Sequence, residues 1–265
     1  MKKVSIGGSE IAVYDEGSGP PILFVHGFPL SHEMWNSQID ALRETHRCIA
    51  PDLRGFGDSD ITMGIVSMEE FADDLVGLIK ALGITEPVVY CGLSMGGYIA
   101  FPFLQKYGSH VRALILCNTR AQADTTEGAQ NRLKLAALAM AKGPDAALEA
   151  MMPRLFAADT PTQRPDVIEQ MRRMIMKTNP IGIAAGLSGM AARPDSTALL
   201  ELIDVPTLVI VGTEDRITPP EDAKKMADAI PGAKFVEIEH AGHMSPMENP
   251  AAVNAALTTF LAGLD

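Results

Sequence analysis

The chain has few cysteines, few basic residues and no long apolar segment. Its three cysteines, Cys48, Cys91 and Cys117, show neither paired nor metal-ligand spacing, so we expect reduced, buried thiols and no metal site. The 22 Lys and Arg residues against 33 Asp and Glu residues leave a net charge of −11. This charge excludes a nucleic acid as partner, because phosphate binding needs a positive field. No apolar run approaches the ~18 residues of a membrane-spanning helix, and the residues after Met1 are too polar for a signal-peptide core. We therefore expect a cytoplasmic protein with no membrane association.

The chain does contain short apolar runs that alternate with helical patterns. This alternation is typical of an α/β fold in which helices flank a mostly parallel central sheet. Most predicted strands are apolar along their whole length, as expected of strands covered on both faces. They comprise residues 11–14, 22–25, 48–50, 88–90, 114–117, 207–211 and 235–238.

One segment interrupts the alternation. Between residues 119 and 196 the strand pattern is absent and the sequence is rich in Ala, Met and Arg. The segment is too long and too apolar for a loop, so it predicts a helical insertion. We expect residues 1–118 and 197–265 to form the core, and residues 119–196, called the insertion below, to form a cap or lid at the edge of the sheet.

A strand, a tight turn and a helix follow one another in the segment VVYCGLSMGGYIA. The turn contains Ser94 between Gly92 and Gly96. A serine in this position projects its side chain outward, and the flanking glycines avoid clashes with the neighbouring backbone. The alternative is a serine that merely caps the following helix. The pattern favours Ser94 as an exposed nucleophile.

A nucleophilic serine needs a base and a carboxylate that orients the base. His243 lies in the loop after the last predicted strand and is the better candidate for the base; its competitor His240 follows the strand directly. Asp215 follows the preceding predicted strand and can aim its carboxylate at a histidine of the next loop. We expect its neighbour Glu214 to face solvent. The sequence therefore predicts Ser94, Asp215 and His243 as nucleophile, acid and base, in that chain order.

From about residue 11 to residue 261 the sequence resembles an α/β-hydrolase of the small bacterial esterase and lactonase type. Four segments besides the Ser94 turn carry this resemblance: HGFPLSHEMW, DLRGFGDSD, GTEDRITPP and AGHMSPMENP. The resemblance implies that the backbone N–H groups of Phe28 and Met95 form an oxyanion hole. It also implies a small-molecule ester or lactone as substrate and no cofactor, and the G-x-G-x-x-G of dinucleotide sites is absent from the sequence.

The residues leave several reactions open within this class. In detail the sequence resembles 3-oxoadipate enol-lactonases and related esterases, while perhydrolases and carbon–carbon bond hydrolases with the same three residues are alternatives. A non-enzymatic alternative is a small-molecule receptor on the same fold; ordinary turnover of a simple aryl ester without a partner protein would favour the enzyme. The sequence carries no signal of oligomeric state.

We expect the substrate pocket to lie between the loop that contains Phe28 and the insertion. His26 and Gly27 are the candidates from the loop. Met140, Met151 and Met174 are candidates from the insertion, because flexible thioether side chains suit an adaptable pocket wall.

Charge is divided unevenly between the insertion and the rest of the chain. Residues 119–196 contain more basic than acidic residues, although the whole chain has a net charge of −11. Arg120 and Arg193 are candidate cations of a positive rim that draws a carboxylate-bearing ester or lactone towards Ser94. The alternative is that these arginines only pair with acidic residues on helix surfaces.

Overall fold

A computed structural model describes residues 1–264 of the chain, which form an eight-stranded sheet flanked by helices. The strands are β1 (Lys2–Ile6), β2 (Ser9–Glu16), β3 (Pro21–Val25), β4 (Arg47–Pro51), β5 (Val88–Leu93), β6 (Val111–Cys117), β7 (Thr207–Gly212) and β8 (Lys234–Ile238). The helices are α1 (Asn36–Leu42), α2 (Met68–Ala81), α3 (Met95–Tyr107), α4 (Thr126–Lys142), α5 (Asp145–Leu155), α6 (Thr160–Gln163), α7 (Pro165–Lys177), α8 (Pro180–Ala192), α9 (Pro220–Ala229), α10 (Ser245–Glu248) and α11 (Pro250–Leu261). Short 3₁₀ helices lie at His32–Trp35, Gly108–His110 and Thr197–Leu202.

The sheet is parallel except at one edge. Its strand order is β1-β2-β4-β3-β5-β6-β7-β8; β2 pairs antiparallel with both β1 and β4, whereas the pairings among β3 to β8 are parallel. Strands β3, β5 and β7 are buried along their whole length, as strands covered on both faces must be. The predicted α/β fold with a mostly parallel sheet is therefore confirmed.

Strand β1 is not among the strands that the sequence pattern predicts. Its residues KKVSI are mostly exposed, and it pairs only with β2, in an antiparallel hairpin at the edge of the sheet. A solvated edge strand lacks the continuous apolar run that marks a buried strand. The signal used for the other strands was therefore absent from this one.

Because β3 to β8 are parallel, their carboxyl ends meet at one edge of the sheet. Consecutive loops at this edge bring together residues that are far apart in the chain, which is where α/β proteins build their sites. The loops after β3, β5, β6, β7 and β8 begin at His26, Ser94, Asn118, Thr213 and Glu239, respectively.

Helices α4 to α8 separate β6 from β7, and α4 packs along α8. The helix α8 also approaches the loop after β4 without intervening side chains. A Cβ atom placed on Gly182 would lie 1.8 Å from the carbonyl oxygen of Gly55, which itself has a φ of +86°. The insertion is thus fixed to the core by a backbone-to-backbone contact that only glycine permits.

No helix within residues 1–264 is long and apolar enough to cross a membrane.

The Gly182–Gly55 contact generates a stability prediction. Gly182→Ala should lower the free energy of unfolding by about 1–3 kcal/mol, because the added methyl group meets rigid backbone rather than a movable side chain. Gly108→Ala is the matched control: its φ is −52° and its Cβ would meet open space, so we expect a change within ~0.5 kcal/mol. Urea denaturation of both variants measures the difference, and equal stability of the two would contradict the packing argument.

Candidate active site

Ser94 lies at the turn between β5 and α3 with an unusual backbone conformation. Its φ of 52° and ψ of −109° are rarely adopted by residues other than glycine and cost about 1–3 kcal/mol. Hydrogen bonds to neighbouring segments hold the turn. The N–H of Ser94 donates to the carbonyl oxygen of Cys117 (3.0 Å), and the Ser94 carbonyl accepts from the N–H of Gly97 (2.9 Å) and the hydroxyl of Thr119 (2.8 Å).

Two glycines make the turn tight. A Cβ atom on Gly92 would lie 2.5 Å from the carbonyl oxygen of Gly96, and one on Gly96 would lie 2.3 Å from the carbonyl oxygen of Val25. A side chain at either position would push the start of α3 away from β5 or β3. The spacing of these glycines around Ser94 is therefore a steric requirement of the turn.

Asp215 and His243 are in contact, as the sequence analysis predicts for an acid and a base. Asp215 Oδ2 lies 2.9 Å from Nδ1 of His243, and both side chains are almost fully buried. An ionised carboxylate can only accept hydrogen bonds, so Nδ1 of His243 carries the proton in this contact. In the neutral ring Nε2 is then the free acceptor.

Four further groups hold the Asp215 carboxylate. Its Oδ1 accepts from the N–H groups of Ile217 (2.8 Å) and Thr218 (2.9 Å), and its Oδ2 accepts from the Thr218 hydroxyl (2.6 Å) and from Nδ2 of Asn118 (2.9 Å). Burial by itself would raise the pKa of Asp215, but the charge and hydrogen bond of His243 and the hydrogen bonds of Thr218 and Asn118 outweigh it. They hold the pKa of this carboxyl well below its usual range, so Asp215 stays ionised.

The two alternative residues make other contacts. His240 is exposed and has a φ of 56°. The Glu214 carboxylate accepts a hydrogen bond from the N–H of Ala158 (3.0 Å). Of the two carboxylates and two histidines considered, the structure thus pairs Asp215 with His243.

The sequence analysis missed Asn118. This residue is fully buried, has a φ of 45° and follows β6 directly. Its Nδ2 donates to Asp215 and to the carbonyl oxygen of Gly242 (3.1 Å), and its Oδ1 accepts from the hydroxyl of Ser245 (2.5 Å). Asn118 follows a predicted strand directly, at the edge that holds the other polar residues, and this position could have identified it as a site residue from the sequence.

The backbone N–H groups of Phe28 and Met95 have no acceptor within residues 1–264, although both residues are buried. Met95 is the first residue of α3, where an N–H has no partner inside the helix. Gly27, the residue before Phe28, lies against Ser94: a Cβ atom on Gly27 would be 3.5 Å from the Ser94 Cβ. Two buried donors are thus available in the segments that adjoin Ser94.

His26, a predicted pocket residue, is fully buried and does not line the cavity of about 390 Å³ described below. Its Nε2 accepts from the N–H of Leu53 (2.9 Å), so its Nδ1 carries the proton and donates to the carbonyl oxygen of Gly27 (2.9 Å). Burial lowers the pKa of His26 to about 4, so the ring is neutral. His26 ties the loop after β3 to the loop after β4.

A cavity of about 390 Å³ lies between the core loops and the insertion. Phe28 and Ile217 line it from the core, and Met151 and Leu187 line it from the insertion. Its polar lining comprises Arg120, Asp124, Asn131, Arg132 and Arg154.

Two of the three predicted methionines do not reach this cavity. Met140 is 53% exposed on α4, and Met174 is 3% exposed inside the packing of the insertion. Met151 is half-buried and forms part of the lining. Helical position decides this outcome, because only one face of each helix turns towards the core.

Three arginines share one carboxylate beside the cavity. Asp124 accepts from Arg120 (2.8 Å), Arg132 (2.5 Å) and Arg193 (3.0 Å), and its side chain is 3% exposed. Arg193 is itself 4% exposed and stacks over the ring of Tyr98 at 4.0 Å. The expectation that Arg193 is a cation of an accessible rim is therefore wrong, because its guanidinium is buried against Asp124 and Tyr98.

The part of the chain that the structure describes contains no group of three His, Cys, Asp or Glu side chains arranged to hold a metal ion.

Comparison with known proteins places the chain in a family. The alpha/beta hydrolase fold family matches residues 20–250. The AB hydrolase superfamily protein YisY of Bacillus subtilis (strain 168) is 32% identical over 94% of this chain and 94% of that protein. The chain therefore belongs to the alpha/beta hydrolase family.

Two solved structures extend the comparison. A thermophilic esterase from Thermogutta terrifontis, with malate bound, is 46% identical with a TM-score of 0.97 over 100% of this chain and 99% of its own. The enol-lactonase from Burkholderia xenovorans LB400 is 30% identical with a TM-score of 0.92 over 98% and 100% of the two chains. The predicted resemblance to hydrolases of the esterase and lactonase type is thus confirmed.

The Asp124 cluster generates a prediction on pH and stability. Burial would raise the pKa of the Asp124 carboxyl, but the hydrogen bonds and charges of Arg193 and Arg132 hold it well below its usual range. A carboxyl whose pKa is depressed by folding stabilises the protein above its unfolded pKa of about 3.9, and this stabilisation is lost as the pH falls through the folded pKa. Asp124→Asn should therefore cost about 3 kcal/mol at pH 7, and the difference from the wild type should shrink below about pH 4.

Urea denaturation of the wild type and of Asp124→Asn between pH 7 and pH 3 measures this change. Asp228→Asn is the control, because it removes an exposed carboxylate paired with Lys224 on α9 and should change stability little at either pH. A difference between wild type and Asp124→Asn that is the same at both ends of the range would contradict the proposed linkage.

Proposed function

We propose that the chain is a serine hydrolase that cleaves carboxylic ester or lactone bonds of small molecules through an acyl-enzyme intermediate on Ser94. His243 acts as the general base, Asp215 orients it, and the N–H groups of Phe28 and Met95 form the oxyanion hole. The observation that carries the proposal is the 2.9 Å contact between Asp215 Oδ2 and His243 Nδ1, which leaves Nε2 of His243 as the free acceptor.

The connection of this pair to Ser94 runs through the end of β6. Cys117 accepts the hydrogen bond from the N–H of Ser94, and the next residue, Asn118, donates to Asp215 and to Gly242 beside His243. The three residues therefore occupy adjoining loops at the carboxyl edge of the sheet.

The proposed reaction has two halves. Nε2 of His243 accepts the proton of the Ser94 hydroxyl while Oγ forms a bond to the substrate carbonyl carbon, and the carbonyl oxygen becomes an oxyanion that accepts from the two backbone N–H groups. His243 then donates this proton to the departing alkoxide, which leaves as an alcohol or, from a lactone, stays attached as a hydroxyl. In the second half a water molecule loses a proton to His243 and forms a bond to the acyl carbon. The bond between this carbon and Ser94 Oγ then breaks, His243 returns the proton to Oγ, and the acid leaves.

Relatives support this reaction class. The relative at 46% identity is named an esterase, and the relative at 30% identity is named an enol-lactonase. 3-Oxoadipate enol-lactonase 2 of Acinetobacter baylyi is 25% identical over 93% of this chain. Hydrolysis of esters or lactones is the activity that these relatives have in common.

The nucleophile assignment predicts a labelling result. Ser94→Ala should lower turnover of a simple aryl ester by ~10,000-fold or more, because the members of a triad act as a unit. Treatment of the wild type with diethyl 4-nitrophenyl phosphate should add a diethylphosphoryl group to Ser94, found by peptide mass spectrometry. Ser188→Ala, on α8, is a control that should keep both turnover and labelling.

Histidine variants separate the proposed base from its competitor. His243→Ala should lose activity as Ser94→Ala does, whereas His240→Ala should retain it, because His240 is exposed and makes no contact with Asp215. A phosphoryl label on another serine, or full turnover in Ser94→Ala, would remove the proposed mechanism. Ordinary turnover of an aryl ester by the wild type without any partner protein would also favour an enzyme over the receptor alternative.

A second candidate narrows the substrate to esters or lactones that carry a carboxylate. The observation that favours it is the cavity wall, where Arg120, Arg132 and Arg154 face a single acidic side chain, Asp124. Arg154 is exposed and has no ion-pair partner within residues 1–264, so its charge is free for a ligand. The malate in the related thermophilic esterase is a dicarboxylate, which is consistent with this reading.

Removal of the free charge tests this candidate. Arg154→Gln should lower the preference in kcat/KM for a carboxylate-bearing lactone over its neutral methyl ester by about fivefold, since an exposed charge pair contributes up to ~1 kcal/mol. The preference should also weaken as added salt screens the charge. Arg172→Gln, an exposed arginine of α7 that does not line the cavity, is the matched control. Equal preferences in wild type and Arg154→Gln would show that this charge has no part in recognition.

A further inference from the structure

Glu248 at the end of α10 has a buried carboxylate that accepts four hydrogen bonds. Its Oε1 accepts from the N–H groups of Gly242 (2.8 Å) and Met244 (3.1 Å). Its Oε2 accepts from the N–H of Ala157 (2.8 Å) and from the hydroxyl of Thr160 (2.6 Å). One oxygen therefore contacts the loop after β8, and the other contacts the insertion.

The contacts of Oε1 surround His243. Gly242 and Met244 are the residues immediately before and after it, and the N–H of His243 itself donates to the carbonyl oxygen of Leu155 (2.8 Å), the last residue of α5. The N–H groups of residues 242–244, in the loop after β8 that we call the histidine loop, thus donate either to Glu248 or to the insertion. The backbone on both sides of the imidazole is fixed by these bonds.

Burial of the Glu248 carboxylate has a free-energy cost. Glu248 is 7% exposed, and no Lys, Arg or His side chain forms an ion pair with its carboxylate anywhere in residues 1–264. Burial raises the pKa of Glu248, although the hydrogen bonds from Thr160, Ala157, Gly242 and Met244 act in the opposite direction. A buried carboxyl without a cation costs stability unless its hydrogen bonds compensate. An apolar side chain could fill the same volume, so packing alone does not account for a carboxylate here.

We propose that Glu248 is a positioning residue for His243. We also propose that it fixes the position of the histidine loop relative to the insertion. Oε1 holds the loop in the place where Nε2 can reach Ser94. Oε2 fixes the start of α6 to the same carboxylate, so a displacement of the insertion is passed to the histidine loop. This inference rests on the proposed role of His243 as the base.

Glu248→Gln tests the proposal, because glutamine offers one acceptor oxygen where the carboxylate offers two. Whichever way the amide turns, its NH2 group faces two donors that the carboxylate had accepted from. With the NH2 group towards the loop after β8, Gly242 loses its acceptor and Met244 keeps only its longer bond to the carbonyl oxygen of Leu155 (3.2 Å). We expect kcat on a small aryl ester to fall about tenfold, since a misplaced catalytic group loses up to ~100-fold when it moves by about 1 Å. The rate at which diethyl 4-nitrophenyl phosphate labels Ser94 should fall by the same factor, with KM changed less than twofold.

Glu214→Gln is the matched control. It makes the same chemical change to a carboxylate that accepts from Ala158, next to Ala157, but that carboxylate accepts no hydrogen bond from residues 242–244. We expect kcat and labelling rate to stay within twofold of the wild type. A merely structural role for Glu248 would lower the melting temperature of Glu248→Gln and leave kcat and the labelling rate of the folded protein unchanged, and this result would overturn the proposal, as would equal losses in both glutamine variants.

Thr160→Val tests the coupling to the insertion and keeps the question decidable if Glu248→Gln does not fold. It removes one donor to Oε2 and leaves the histidine loop untouched. We expect the labelling rate to fall about threefold, and an unchanged rate would show that the insertion and His243 are independent. Failure of the proposed function is a separate result, because it would appear in the wild type as absent turnover and an unlabelled Ser94.

Discussion

The turn at Ser94 constrains most of the site. A non-glycine residue with a φ of 52° is held there only because the surrounding contacts outweigh a cost of about 1–3 kcal/mol. The hydrogen bond to Cys117 sets the start of α3 against the end of β6, and the close approach of Gly96 to Val25 sets it against the end of β3. The loop with Phe28 and the loop with Asn118 are therefore positioned by the same turn that presents the serine.

Buried polar groups connect this turn to the rest of the site. Asn118 donates to Asp215 and to the histidine loop, and Glu248 accepts from that loop on its other side. In a low-dielectric interior such bonds are strong, and an unpaired member is costly, so the network specifies one arrangement. The proposed site thus has a fixed hydrogen-bonded geometry, whereas the insertion supplies most of the wall of the neighbouring cavity.

The sequence predicted the fold well because parallel strands are buried on both faces and leave continuous apolar runs. The sequence also predicted that Ser94, Asp215 and His243 lie in loops that follow strands, at the edge where the parallel strands end. It could not locate β1, whose exposed residues have no such run, or the contacts of Glu248, which joins Ala157 and Gly242 through the tertiary fold. The methionines show the same limit: Met151, Met140 and Met174 are chemically alike, and only the rotation of each helix decides which of them reaches the cavity.

The charges of the protein affect the approach of an anionic ligand and its binding at the cavity in different ways. With a net charge of −11, the protein as a whole repels an anion, and salt at physiological concentration screens this effect beyond ~8 Å. Of the arginines in the insertion, Arg193 is buried, and Arg120 and Arg132 are paired with Asp124, so none of the three extends a positive field far into solvent. If the substrate carries a carboxylate, its recognition must therefore depend on short-range contacts at the cavity wall, where Arg154 has no ion-pair partner within residues 1–264. Charge in this protein would then determine the affinity of a ligand that has already entered, rather than the rate at which ligands arrive.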